Sequence, residues 1–253
     1  MNLIDAIILG LIQGFTEWLP ISSSGHLVIA QELLGLTVKP EFDVVLMFGT
    51  LLALIVYFRH KLYWILHGLL TNRKESRNYL FFIVLAGFPT ALIGFAGKNF
   101  FKSLFSNPLA VSFLLVVNGL FLYFATRPRE LKSNLTEKNS LLIGIAQGLA
   151  IAPGISRSGS TIGTGLLLGV EPRKAAEFSF MIGIPAMLVA SALEFQTLSL
   201  DLGMDLILAG VIAAFIAGYA SIDVLMRLLK AGKLEWFAYY CVLVGAICFA
   251  LFL

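Results

Sequence analysis

Apolar residues run along the chain in long unbroken blocks separated by short charged connections, rather than alternating with polar ones. Stretches with no Asp, Glu, Lys or Arg cover residues 44–58, 78–97, 103–126, 178–193, 206–222 and 236–253. A helix rises about 1.5 Å per residue and needs about 20 apolar residues to cross a bilayer core. The pattern therefore predicts six transmembrane helices. Two segments, 1–38 and 139–171, follow a different plan. Each starts as an apolar helix too short to span, breaks at a Pro, Gly and Ser cluster, and resumes as a second short helix. The breaks read LPISSSGHL over 19–27 and APGISRSGST over 152–161. Broken backbone at membrane depth survives only when it is buried in protein or lines a wet cavity, so both segments are expected to be re-entrant hairpins.

A shift of 134 residues superposes the two hairpins without a gap. Gly10, Gln13, Gly14, Ile21, Ser22, Ser24 and Gly25 fall on Gly144, Gln147, Gly148, Ile155, Ser156, Ser158 and Gly159. Leu33, Leu34 and Gly35 meet Leu167, Leu168 and Gly169; beyond them Met47, Gly49 and Leu54 meet Met181, Gly183 and Leu188, and Asp43 meets Glu177. Random apolar sequence would not supply these Gly and Ser identities, so the chain reads as a duplication. The expected organisation is one membrane domain over 1–253, with one repeat over about 1–126, a cytoplasmic loop at 127–138, and a second repeat over about 139–253.

Composition agrees with this reading. Of 253 residues, 58% are hydrophobic and 13% charged, against roughly a quarter charged in soluble domains, which excludes a soluble globular protein and a disordered one. The net charge of +3 comes with no basic stripe interleaved with aromatics, which argues against nucleic acid as a partner. Arg59, Lys61, Arg73, Lys74 and Arg77 crowd one connection, Arg127, Arg129, Lys132 and Lys138 another, and Arg227, Lys230 and Lys233 a third. By the positive-inside rule these three are cytoplasmic. The connection at 194–205 holds three acids and no Lys or Arg and suits the outer side, with Lys98 and Lys102 a mild exception in the outer loop at 98–107. Counting spans from these loops, the first hairpin opens outward and the second inward, so the repeats are inverted, a design that brings broken helices together at mid-membrane. The start, MNLIDAIILG, has no basic region and is not expected to be a cleaved signal peptide. Cys241 and Cys248 share a helical face and read as packing.

The breaks carry the candidate chemistry. Gln13 and Glu17, four apart, share a helical face; Pro20 ends that helix, and Ser22, Ser23, Ser24, Gly25 and His26 follow. A carboxylate inside a membrane segment is rare and usually functional, and an imidazole beside it is a ready acid, base or nucleophile. The plainer readings are a lipid-interface residue for Glu17 and, for His26, a helix-start residue bonded to a carbonyl. In the second break Arg157 stands between Ser156 and Ser158, with Gly159, Ser160 and Thr161 opening the next helix. A guanidinium fork and a helix start together make an anion cradle. The plainer reading of Arg157 is a pairing with a lipid headgroup or a structural carboxylate. His60 and His67, with Tyr63 and Trp64, read as an interfacial anchor. Asp223 is expected to pair with Arg227, while Asp43 and Glu177 either brace the hairpins or assist a cation.

At these residues the sequence resembles the integral-membrane undecaprenyl-diphosphate phosphatases, the bacitracin-resistance family. A Glu or Gln, three intervening residues and a Glu match Gln13 and Glu17 in QGFTE, running on into WLPISSSGH. A Pro-Gly-x-Ser-Arg-Ser-x-x-Thr pattern matches Pro153, Gly154, Ser156, Arg157, Ser158 and Thr161. The likeness spans nearly the whole chain. It implies removal of the terminal phosphate from a C55 polyprenyl diphosphate, giving the monophosphate carrier used in cell-wall synthesis and conferring bacitracin resistance. It also implies a Mg²⁺ or Ca²⁺ ion and an active site facing the periplasm across the cell membrane. Gln13 departs from the acidic option, so Glu17 is the one motif carboxylate offered to a metal from this helix. The expected roles are catalysis by His26, Glu17, Arg157 and Ser23, metal binding by Glu17 and Gln13, and substrate binding by Ser22, Ser24, Gly25, Ser156, Ser158, Gly159 and Thr161. His26, Ser23 and a water remain open as nucleophile. Membrane lipids and the prenyl substrate are the expected partners, and a homodimer is compatible with the sequence. A transporter or flippase of prenyl phosphate is the rival reading, because inverted repeats with broken helices also build transporters; a non-catalytic lipid-binding subunit is a third.

Overall fold

A computed structural model describes residues 1–38, 40–127, 134–195 and 203–253. The chain runs through α1 (Leu3–Trp18), α2 (Ser23–Leu33), α3 (Pro40–Tyr57), α4 (Arg59–Leu70), α5 (Lys74–Ala96), α6 (Lys98–Phe105), α7 (Pro108–Ala125), α8 (Glu137–Leu149), α9 (Arg157–Leu167), α10 (Pro172–Phe195), α11 (Met204–Lys230) and α12 (Glu235–Leu251). The expected all-helical membrane bundle is observed. Arg129, Lys132 and Asp201, used above to orient the connections, lie outside the described residues.

Four helices, α5, α7, α10 and α11, are long and apolar enough to cross a membrane, and α3 with α4 makes a fifth candidate bent by 71°. The sixth expected span, α12, has 17 residues, apolar after Glu235, or about 25 Å at the usual helical rise. The lipid-facing surface is plainest on α5, where Phe81, Val84, Phe88, Leu92 and Phe95 form one stripe, each between 51% and 69% exposed. A continuous apolar stripe of this kind is stable in lipid and not in water. The protein is a multi-pass membrane protein.

One expected span is divided. Residues 103–105 close α6, and α7 starts afresh at Pro108. Proline cannot continue a helix but suits the first position of a new one, and the Asn107 side chain caps that start by accepting from the Ala110 amide at 3.0 Å. Lys98 and Lys102 therefore sit on a short separate helix.

The hairpins are built alike. α1 opens with a reciprocal cap between Asn2 and Asp5 and ends where Leu19 turns extended before Pro20. Ser22 then caps α2 by accepting from the Gly25 amide, and Ser156, 134 positions on, caps α9 by accepting from Gly159. Gly35 and Gly169 close the two helices with positive φ. Each hairpin packs its first helix on the other repeat: α1 against α11, α8 against α5. Both contacts need glycine. A Cβ on Gly10 would come 2.4 Å from the Gly210 carbonyl oxygen, and one on Gly144 would come 2.1 Å from that of Ala86. α7 packs along α12, and the aromatic core around Trp18, Phe58 and Phe180 fills the space between α1, α3 and α10.

Candidate active site

The two breaks meet tip to tip. Ser22, held at a φ of +69°, accepts on its Oγ from the Gly154 amide at 3.1 Å. Ser158 Oγ reaches back to donate to the Leu19 carbonyl at 3.0 Å, with Ser156 Oγ 3.1 Å away. Gly154 is required twice over: its φ is +95°, and a Cβ there would sit 2.4 Å from the Val111 carbonyl oxygen. Between the breaks stands Asn118 of α7, 1% exposed. Its Nδ2 donates to the Pro20 carbonyl at 3.1 Å, and its Oδ1 accepts from the Ser156 amide at 3.1 Å. One amide side chain thus answers both groups that the breaks leave unpaired.

This junction brings Glu17 and Arg157 together although they lie 140 residues apart. Arg157 Nη2 donates to Glu17 Oε1 at 2.6 Å, and the side chains are only 15% and 10% exposed. The other carboxylate oxygen, Oε2, accepts from the Ser23 hydroxyl and from Gln13 Nε2, the latter at 3.1 Å. The lipid-interface reading of Glu17 is thereby set aside. The guanidinium stacks over the Trp18 ring at 5.0 Å and touches Met187 Sδ at 3.4 Å. Gly183 leaves room for it, since a Cβ there would lie 2.0 Å from Nη1. That Nη1 is buried and has no hydrogen-bond partner. An orphan charged donor in a dry pocket is a standing demand for an anion oxygen.

His26 lies on α2 one turn beyond Ser22. Its Nδ1 bonds the Ser22 carbonyl at 2.7 Å, the carbonyl pairing of the plainer reading, and its Nε2 meets the Tyr240 hydroxyl of α12 at 2.9 Å. The two rings stack with their planes 10° apart. With Nδ1 donating to the carbonyl, Nε2 is left as the acceptor from tyrosine. Ser24 Oγ is 3.5 Å from Ser22 Oγ. Thr161 turns away from the junction, donating to the Arg157 carbonyl at 2.8 Å and sharing a 2.6 Å bond with Ser179. Ser22, Ser156, Ser158 and Thr161 therefore join the breaks to each other and to α10, and Gly25 and Gly159 let the breaks approach, at Gly154 and Pro20 respectively. The groups left to meet a ligand are Arg157 Nη1, the Ser23 hydroxyl, the Glu17 carboxylate and the unpaired amides at the starts of α2 and α9.

No cluster of three His, Cys, Asp or Glu side chains occurs among the described residues. The junction does offer oxygen ligands from Glu17, Ser23 and Gln13. This set fits a hard cation such as Mg²⁺, which takes one or two carboxylates and completes its shell with water and substrate oxygens. The paired residues outside the junction are structural: Asp43 accepts from Gln31 of α2 at 2.9 Å, and Asp223 pairs with Arg227 at 2.7 Å. Asn118, Gly183, Met187 and Tyr240 escape sequence reasoning as site residues; only Gly183 leaves a trace there, as a match to Gly49 in the repeat.

Residues 6–247 match the family described as Bacitracin resistance protein BacA. Proteins named undecaprenyl-diphosphatase are similar over nearly their whole length. One from Halothermothrix orenii is 41% identical, covering 97% of this chain and 96% of that protein. Another from Syntrophotalea carbinolica is 41% identical with 99% of each covered. A third, from Methanosphaera stadtmanae, is 36% identical over 98% of this chain and 97% of its own length.

Proposed function

We propose, from the premise that this chain belongs to the bacitracin resistance protein BacA family, that it is a membrane hydrolase removing the terminal phosphate of undecaprenyl diphosphate. The observation that carries the chemistry is the single carboxylate of Glu17, which holds the Ser23 hydroxyl on one oxygen and the Arg157 guanidinium on the other. The diphosphate takes the free Nη1 of Arg157 and the amides opening α2 and α9, whose dipoles favour negative charge. Donation from Arg157 Nη1 strengthens as charge builds on the transferred phosphoryl, while Nη2 stays on Glu17. Ser23 attacks the terminal phosphorus while its proton passes to Glu17; the bond to the bridging oxygen breaks and the lipid monophosphate leaves. Water then attacks the phosphorus on Ser23 and gives a proton to His26, which lies one turn further along α2 and is held by Tyr240; the bond from phosphorus to the Ser23 oxygen breaks, Glu17 returns its proton to that oxygen, and phosphate leaves. Glu17, Gln13 and Ser23 would hold a Mg²⁺ or Ca²⁺, which would supply charge neutralisation for the diphosphate. The prenyl tail lies between helices in lipid, and the site opens to the outer face of the cell membrane. No observation favours the transporter or lipid-binding readings.

Inorganic phosphate release from polyprenyl diphosphate by detergent-solubilised protein, with no gradient present, tests this reading. Wild type releases phosphate; Ser23→Ala lowers the rate by roughly 10²–10⁴-fold, the range for a group acting directly at the reacting centre. A wild type without release overturns the phosphatase, and an unchanged rate in Ser23→Ala overturns serine as nucleophile.

A further inference from the structure

The bend between α3 and α4 opens a cavity of about 500 Å³ at the end of the bundle that carries the basic connections. Its size is that of a small-molecule site, usually about 300–1,000 Å³. Three permanent cations line it: Lys61 of α4, Arg173 of α10 and Lys230 at the end of α11. One acid answers them. Glu177 takes Arg173 Nε at 3.0 Å on one oxygen and Lys61 Nζ at 3.7 Å on the other. Lys230 has no ion-pair partner among the described residues, so the cavity holds an excess of two positive charges. Lys61 is also pinned in place, its ammonium lying over the rings of Trp64 at 4.8 Å and Tyr79 at 4.6 Å. Tyr57, His60, Trp64 and the apolar Phe58 and Met226 complete the wall, the last two only 8% and 9% exposed. A second cavity of about 330 Å³ shares Arg173, Met226 and Lys230 and extends the first; its one acid, Glu171, is paired with Lys174 at 3.2 Å.

A positively charged rim above an apolar wall, set between helices at the level of a membrane surface, complements one class of molecule. We propose that this cavity binds the phosphate headgroup of an anionic phospholipid from the adjoining leaflet, with the first carbons of its chains on Phe58, Trp64 and Met226. Basic pockets between transmembrane helices recognise anionic lipid heads through this combination. The bound phosphate neutralises the charge excess and ties α4 to α10 and α11. The site stands apart from Glu17, Ser23 and Arg157, and its lipid is not the hydrolysed substrate.

Native mass spectrometry of the delipidated protein in non-ionic detergent, titrated with phosphatidylglycerol or phosphatidylcholine, tests the site. Wild type takes one phosphatidylglycerol at least about tenfold more tightly than phosphatidylcholine, and excess inorganic phosphate does not displace it. Each cation removed weakens binding about fivefold, so Lys230→Ala loses about fivefold and Lys61→Ala with Lys230→Ala about 25-fold. Lys230 makes no ion pair, so its single variant decides the matter where the double variant fails to fold. Phosphatidylglycerol binding unchanged in Lys230→Ala, or phosphatidylcholine bound equally well, overturns the proposal. Displacement by inorganic phosphate overturns the lipid assignment in favour of a free-anion site.

Discussion

Glu17 and Arg157 are a buried ion pair whose value is positional. Burying two charges is expensive unless other groups also answer them, and here Ser23 and Gln13 serve the carboxylate while Trp18 and Met187 pack the guanidinium. Arg157 Nη1 is left without a partner, and in the proposed reading it receives the substrate. Two substitutions probe it. Arg157→Lys keeps the charge and loses the fork that serves Glu17 with Nη2 and leaves Nη1 for substrate, and phosphate release falls about 10²-fold or more; a rate within threefold of wild type would refute a need for the guanidinium. Gly183→Ala places a methyl 2.0 Å from Nη1 and so pushes the guanidinium off its seat. Alanine is the better helix former, by about 0.5–1 kcal/mol, so thermal unfolding should change little while kcat/KM drops at least tenfold. Parallel losses in both would make Gly183 a packing residue.

The helix breaks are legible in sequence because Pro, Gly and Ser clusters have few uses inside apolar segments, and the repeat marks them twice. Its register shows more than the identities do. Ser23 and Arg157 are 134 apart and occupy the first positions of α2 and α9, so equivalent places in the two hairpins both address Glu17. What joins the breaks is not legible. Asn118 is one polar residue in a long apolar run, with no pattern to single it out, and its importance comes from two backbone groups brought to it by chain elements 98 and 38 residues away. Asn118→Ala leaves the buried Ser156 amide without its side-chain acceptor, at about 1–3 kcal/mol, and leaves the Pro20 carbonyl only the weak Cys241 thiol at 3.7 Å. Unfolding in denaturing detergent should show that loss. Asn118→Asp keeps the acceptor for Ser156 and removes the donor to Pro20, and should be less destabilised than alanine; equal stability of all three proteins would contradict the bridge. Tyr240 is hidden for a similar reason: it lies 214 residues from His26, among aromatics that otherwise face lipid.

For the whole molecule, charge-free runs delimit most spans correctly because charge in lipid is costly. They misplace the start of α7, since α6 is apolar enough to merge with it and only Pro108 separates them. The first helix of each hairpin packs mostly on the other half of the chain, α1 on α11 and α8 on α5, and Glu17 meets Arg157 only in the assembled molecule. The proposed orientation, with the basic connections inside, can be tested by labelling. Cys241 and Cys248 are free and buried, so they give little background to thiol labelling. In intact cells an impermeant reagent should label Ser106→Cys and reach Lys233→Cys only after permeabilisation; the reverse pattern would turn the site inward. The central claim is that residues of both hairpins act on one diphosphate as a unit. A double-mutant cycle on kcat/KM for phosphate release, using Glu17→Gln, Arg157→Lys and the pair, tests it most directly. The account predicts that the double variant is no more than about threefold worse than the poorer single one, whereas losses that multiply would show that Glu17 and Arg157 work independently and would contradict a shared site.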